Sequence, residues 1–210
     1  MQSEERQILE AVTSAGEIAA ITIEPSEGQI ARLATLLKKG CFIRVRTGCS
    51  MKELLCETFN ISPEYVKKEI KVIFLNFSPV DDLETAIIKD GSIIALSAAM
   101  PGLVGAAMSR DGLTWMRSSI TYHEEAGEHA HQDGLIHMKL FNKVMADLGE
   151  SFLRRGVYVK SGFLADFLER FDADFWRDSG KIARNEEAMT VNELLESLKG
   201  SDEWVRFILR

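Results

Sequence analysis

All four histidines of this 210-residue chain lie between Tyr122 and His137, in YHEEAGEHAHQDGLIH, among several acids. Imidazole nitrogen with carboxylate oxygen is the donor set of zinc, iron or manganese, and such a site needs three or four donors converging on one point. In an extended segment His129 and His131 project to the same side, because side chains alternate. His123, at the end of the preceding strand, can meet them across a turn running from Glu124 to Gly127. The expected metal set is therefore His123, His129 and His131, with Glu125, Glu128 or Asp133 nearby; Glu125 is the candidate base if the metal activates water. The alternative is a solvated turn, since a polar loop with two glycines also suits exposed histidines. His137 falls outside the set, on a helix expected from Leu135, where it shares a face with Phe141, Val144 and Leu148.

Two further stretches carry chemistry. Cys49 in TGCSMKE precedes a capped helix, where free N–H groups and the dipole favour thiolate, as a nucleophilic or redox thiol requires; packing at a tight turn explains the same residue equally. In AMPGLVGAAM, Gly102 and Gly105 would let the backbone approach a ligand closely. That stretch has neither GxGxxG spacing nor the lysine of a phosphate loop, so no nucleotide cofactor is expected and a close-packed strand exit into a tight loop is the simpler account.

Composition narrows the classes. A net charge of -7 without an extended basic face argues against nucleic acid as a partner. Lys38-Lys39 and Arg154-Arg155 each sit where a helix is expected to end, complementing its dipole. Three cysteines without CxxC spacing fit reduced thiols in a cytoplasmic protein. The acidic start, MQSEERQILEAVTSAG, has the pattern of an amphipathic helix and not of a targeting peptide. Ile93 to Met108 is apolar or small throughout but interrupted by Pro101 and glycines, and it falls short of the ~20 residues that span a bilayer.

These candidates must be held by regular elements. Ser3 caps a helix to about Ser14; Ile18 to Glu24 reads as a strand; Ser26 and Gln29 form a capping box for a helix ending at Gly40. Cys41 to Thr47 alternates as a strand, and Ser50 with Glu53 boxes a helix through Phe59. Pro63 opens a brief turn of helix, Lys71 to Asn76 is a buried-type strand, and Asp90-Gly91 turns the chain into the strand Ser92 to Ser97. Asp111-Gly112 leads into a strand over Leu113 to Tyr122. Beyond it, Asp133 is expected to cap a helix to Arg155, Val157 to Val159 to form a short strand, and Gly162 to Arg177 an aromatic helix. Thr190 and Glu193 box another helix, and Glu203 to Arg210 is expected to close as the last one.

The stretch Cys41 to Gly105, with its strand, capped helix, Asn76, Val80, Asp90-Gly91 and Ile93 to Ser97, resembles the second half of a β-grasp domain of the ubiquitin-like sulfur-carrier type. The resemblance implies a mixed sheet packed on the Ser50-capped helix. It does not extend to carrier chemistry, which uses a Gly-Gly at the chain end; here Gly102 and Gly105 are separated and a long segment follows. The family also has a hairpin before its helix, for which the edge strand here is either Ile18 to Glu24 or Leu113 to Tyr122.

The expectation is thus an α+β chain: residues 1–122 containing a β-grasp-like unit at about 41–105, then residues 123–210 as the histidine-rich loop and a helical region. Functionally this is a soluble binding or assembly protein holding a divalent metal or small ligand, with a small molecule or protein subunit as partner and homo-oligomers allowed. The alternative is a metal-dependent hydrolase or redox enzyme using His123, His129 and His131.

Overall fold

The computed structural model describes residues 18–99, 102–112, 120–122 and 130–210. The expected helix from Ser3, residues 113–119 of the strand expected over Leu113 to Tyr122, and His123, Glu125, Glu128 and His129 lie outside the described residues. In chain order the elements are β1 (Ala19–Ile23), α1 (Glu27–Leu33) continued by a 3-10 segment Ala34–Lys38, β2 (Cys41–Thr47), and α2 (Met51–Glu53) continued by a π-helical segment Leu54–Thr58. They are followed by α3 (Pro63–Lys68), β3 (Val72–Leu75), β4 (Ser78–Pro79), β5 (Ile93–Ser97), α4 (Gly102–Met108) and β6 (Gln132–Leu140). The last are α5 (Asn142–Arg155), β7 (Val157–Lys160), α6 (Ser161–Leu168), α7 (Ala173–Arg177), β8 (Ile182–Arg184), β9 (Glu187–Ala188), α8 (Val191–Lys199) and β10 (Trp204–Leu209). The mixed α+β class is as expected, and no helix of the described residues is long and apolar enough to cross a membrane.

The chain divides into two compact units, one of Ile43–Asp147 and one joining Met1–Phe42 to Leu148–Arg210. In the first, the strand order is β4-β3-β5-β6-β2. β3 and β5 pair antiparallel, with Val72 opposite Ser97, and β5 and β6 pair parallel, with Ile93 opposite His137. The two central strands expected from KVIFLN and SIIALS therefore share one sheet. α2 forms through a complete capping box: Glu53 N donates to Ser50 Oγ at 3.2 Å, and Ser50 N to Glu53 Oε2 at 2.7 Å. Its wider π turn brings the adjacent Leu54 and Leu55 both into the core beside Met51, all with no exposed surface. Burying each such side chain is worth about 1.5–3 kcal/mol.

Two expectations in this unit are corrected. The helix expected from Leu135 is instead β6 as far as Leu140, and α5 begins only at Asn142. Asp133 caps nothing; its carboxylate takes Arg44 Nη2 at 2.6 Å. Leu135, Ile136, Met138 and Leu140 are all fully buried, the signature of a strand covered on both faces, which reads in sequence as a continuous apolar run. His137 consequently sits in a strand and not on a helical face with Val144 and Leu148. The second correction follows β5, where the expected tight loop is the helix α4, with Leu103 and Val104 exposed and Gly105 buried.

In the other unit the order runs from Phe42 of β2 through β7, β10, β1 and β8 to β9. β10 lies parallel to β1, Ala19 opposite Val205 through Ile23 opposite Leu209, and antiparallel to β7 on its other side. The helix expected over Glu203 to Arg210 is thus a central strand. Val205, Phe207 and Leu209 face inward while Arg206 is exposed, a period of two. The aromatic helix expected over Gly162 to Arg177 breaks after Leu168, and a new cap, Asp172 Oδ1 accepting from Phe175 N at 2.9 Å, starts α7. Phe171, in the connecting turn, stacks on Phe175 with centroids 4.3 Å apart, and Arg32 lies 4.5 Å above the Phe175 ring. The aromatic stripe is packing, held also by Gln29, whose Nε2 donates to the Phe175 carbonyl and to Ser179 Oγ.

Candidate functional site

The unit Ile43–Asp147 carries an open cavity of about 450 Å³ between the start of α2 and His131. Its lining includes Gly48, Lys52, Glu53, Cys56, Glu57, Glu84, Ile87 and His131. The spacing of Lys52 with Cys56 and of Glu53 with Glu57 places these side chains on neighbouring helical rows. The segment after β4 closes the other wall by backbone bonds: Gly48 N to Ile88 O at 2.7 Å, Met51 N to Ala86 O at 2.7 Å, and Ile88 N to Cys49 O at 2.9 Å. His131 is brought in because Gly48, at φ +83°, lets the chain at Ala130 pass against its Cα.

Charge is unevenly committed here. Lys52 donates to Glu84 Oε1 at 2.5 Å, a bond that raises the Lys52 pKa above its ordinary value. Glu53 is held below the usual carboxylate range, first by the Ser50 backbone N–H and then by the Ser50 side chain, with His131 adding a smaller effect. Glu57 has no hydrogen bond or ion pair among the described residues, and neither does the His131 ring. Burial raises the half-buried Cys56 thiol, while Lys52 pulls it back down. Among the described residues the cavity thus presents the Glu57 carboxylate and the His131 ring without hydrogen bonds or ion pairs.

Of the expected metal set, His131 lines this cavity, and His123, His129 and Glu125 belong to the undescribed 123–129. Among the described residues no group of three or more His, Cys, Asp and Glu side chains is placed to hold a metal ion. His137 is half-buried in β6, opposite Ile93. Cys49 is buried, its thiol donating to the Arg46 carbonyl at 3.3 Å. Its pKa moves up, because burial, then the Glu53 charge, oppose thiolate more than the bond to the Cys49 backbone favours it. Gly102, at φ +81°, has open space where a side chain would stand, and Gly105 is buried within α4. The roles of Cys56, Glu57 and Glu84 carried no motif in the sequence. The helical spacing of Cys56 and Glu57 was available, but nothing local to Glu84 points to Lys52, 32 positions away.

Compared with known proteins, the chain matches no family model, no curated protein and no solved structure.

Proposed function

We propose that this chain is a binding or assembly protein that holds a divalent cation at the cavity between α2 and the histidine segment. The observation that supports this most directly is that His131, one of the expected ligands, lines one cavity with Glu57, and neither side chain has a hydrogen bond or ion pair among the described residues. Imidazole with carboxylate suits zinc, iron or manganese. His123 and His129 are the natural further ligands, adjacent in sequence to His131, and Glu125 the nearby acid. The excess of Glu53, Glu57 and Glu84 over Lys52 favours a cation over an anion. Elemental analysis of untagged protein after incubation with zinc, iron or manganese tests the reading. Stoichiometric metal that is lost in His131→Ala and weakened in Glu57→Gln supports it. Protein that takes up no metal, or keeps it in both variants, overturns it.

The same unit supports a β-grasp-like arrangement. The capped helix follows β2, β3 and β5 pair antiparallel, and the strand beside β2 is β6, supplied from later in the chain. In this reading β6 takes the place of the missing hairpin strand. The free state of Cys41, Cys49 and Cys56 supports a reducing, cytoplasmic setting.

A further inference from the structure

We propose a second binding site, for a small planar anion such as an aromatic carboxylate, on the sheet of the unit formed by residues 18–42 and 148–210. A cleft of about 250 Å³ opens there, lined by Phe42, Tyr158, Phe163 and Trp204 with Lys39 and Lys160. The sheet itself builds it: Phe42 is paired with Tyr158, and Trp204 with Lys160, so four side chains of three adjacent strands come together. The Phe42 and Trp204 rings meet edge to face, centroids 5.4 Å apart and planes at 86°, forming a corner that receives a flat ring. The volume is below the ~300 Å³ at which pockets for drug-sized molecules begin, which limits the occupant to one ring or two fused rings.

The charge of the cleft sets the sign of the ligand. In a chain of net charge -7 its lining contains two lysines and no acid. Lys160 is held in place: its ammonium donates to the Asp202 carbonyl at 2.8 Å, and lies 3.3 Å from the Asp202 carboxylate and 4.7 Å from the Trp204 ring centre. The Lys39 ammonium has no ion pair or hydrogen bond among the described residues, and the Tyr158 hydroxyl has no hydrogen bond among them either. Aromatic walls with one uncommitted ammonium and one uncommitted hydroxyl recognise a ring bearing a carboxylate: the walls take the ring, Lys39 the charge, and Tyr158 donates to an oxygen. No part of this argument uses the histidine segment or a metal.

Titration of the ¹⁵N-labelled full chain with 1-naphthoate, 1-naphthalenemethanol and 1-naphthylmethylamine, followed by amide shifts, tests the site. Naphthoate is expected to give saturable shifts at Gly40, Phe42, Val159 and the Trp204 indole, the alcohol weaker ones and the amine none. Lys39→Gln, at an exposed position, should weaken naphthoate roughly two- to fivefold, the range of an exposed ion pair, and leave the alcohol unchanged. Tyr158→Phe should weaken naphthoate as well, with an unchanged melting curve showing the fold intact. Equal binding of the amine, equal binding of the alcohol, shifts that map elsewhere, or no saturable shift with naphthoate would overturn the proposal.

Discussion

Gly48 and Ala130 approach so closely that a Cβ on Gly48 would stand 2.5 Å from the Ala130 carbonyl oxygen. Gly48 also has φ +83°, so both its backbone and its lack of a side chain are used. Gly48→Ala should therefore destabilise by at least ~1–2 kcal/mol from the left-handed conformation alone. The clash should in addition displace His131 from the cavity. Urea unfolding measures the first, and the ring resonances of His131 the second; an unchanged midpoint with unchanged His131 resonances would contradict both.

A second relationship joins the Asp90-Gly91 turn to β6. Leu135 N donates to Asp90 Oδ1 and Gly91 N to Leu135 O, each at 2.8 Å. Asp90→Ala leaves the Leu135 amide without its acceptor, which costs about 1–3 kcal/mol for a buried group. Asp90→Asn keeps an amide oxygen in reach and should recover most of that loss. Denaturation of the two variants side by side checks the order.

For the thiols, the expected order of labelling by limiting iodoacetamide is Cys56 first, Cys49 more slowly and Cys41 last. Cys56 is the half-buried one and the other two are buried. Burial raises all three thiols, Cys41 above the range of ordinary titration, so each stays protonated at neutral pH. Labelling of Cys56 should therefore accelerate as pH rises past the ordinary thiol value. Mass spectrometry of partially labelled protein reads the order, and preferential labelling of Cys49 would return it to consideration as a nucleophile.

Two capping boxes make a pH prediction. Glu53 and Glu193 are both held below their ordinary value of 4.5, chiefly by the backbone N–H of Ser50 and of Thr190. A carboxyl depressed on folding contributes stability above its unfolded pKa and loses it as pH falls through the folded pKa. The urea midpoint should drop through the acid range. It should drop less in Glu53→Gln and Glu193→Gln, whose amide oxygens still cap without titrating.

Exchange of the histidines separates ligand from scaffold. On the proposed metal reading, His131→Ala should abolish metal uptake with little change in stability, since its exposed ring has no hydrogen bond among the described residues. His137→Ala should retain metal and lower the melting temperature, since the residue is half-buried in a strand paired to β5. Metal content and thermal unfolding of the pair give the comparison.

Local signals in the sequence carried the capped helix starts and one alternating strand. Cys41–Thr47 alternates as a strand and is one. The Ser26, Ser50 and Thr190 boxes each start a helix, because a cap is settled by residues within one turn. What failed were segments whose state is decided by distant partners. Gln132–Leu140 looks helical because Asp133 resembles a cap and its apolar residues run together, yet β5 on one side makes it a strand. Trp204–Leu209 shows alternation, but its partner β1 lies near the opposite end of the sequence. Within the candidate cavity, His131 had been singled out from the sequence, whereas Glu57 and Cys56 come to line it only when the segment after β4 folds back along α2.

The position of β10 between β1 and β7 has a consequence for synthesis. As the chain leaves the ribosome, Ile43–Asp147 is complete as a contiguous stretch, but β1 must wait for Trp204–Leu209, some 180 residues later, before that flank is paired. Until then Ile21 and Ile23, fully buried in the finished sheet, remain on a strand with an open edge, which is a template for pairing with other nascent chains. The order of elements therefore leaves the early strand exposed for most of translation, and a chain that stops before Trp204 lacks the strand that pairs β1 on that side.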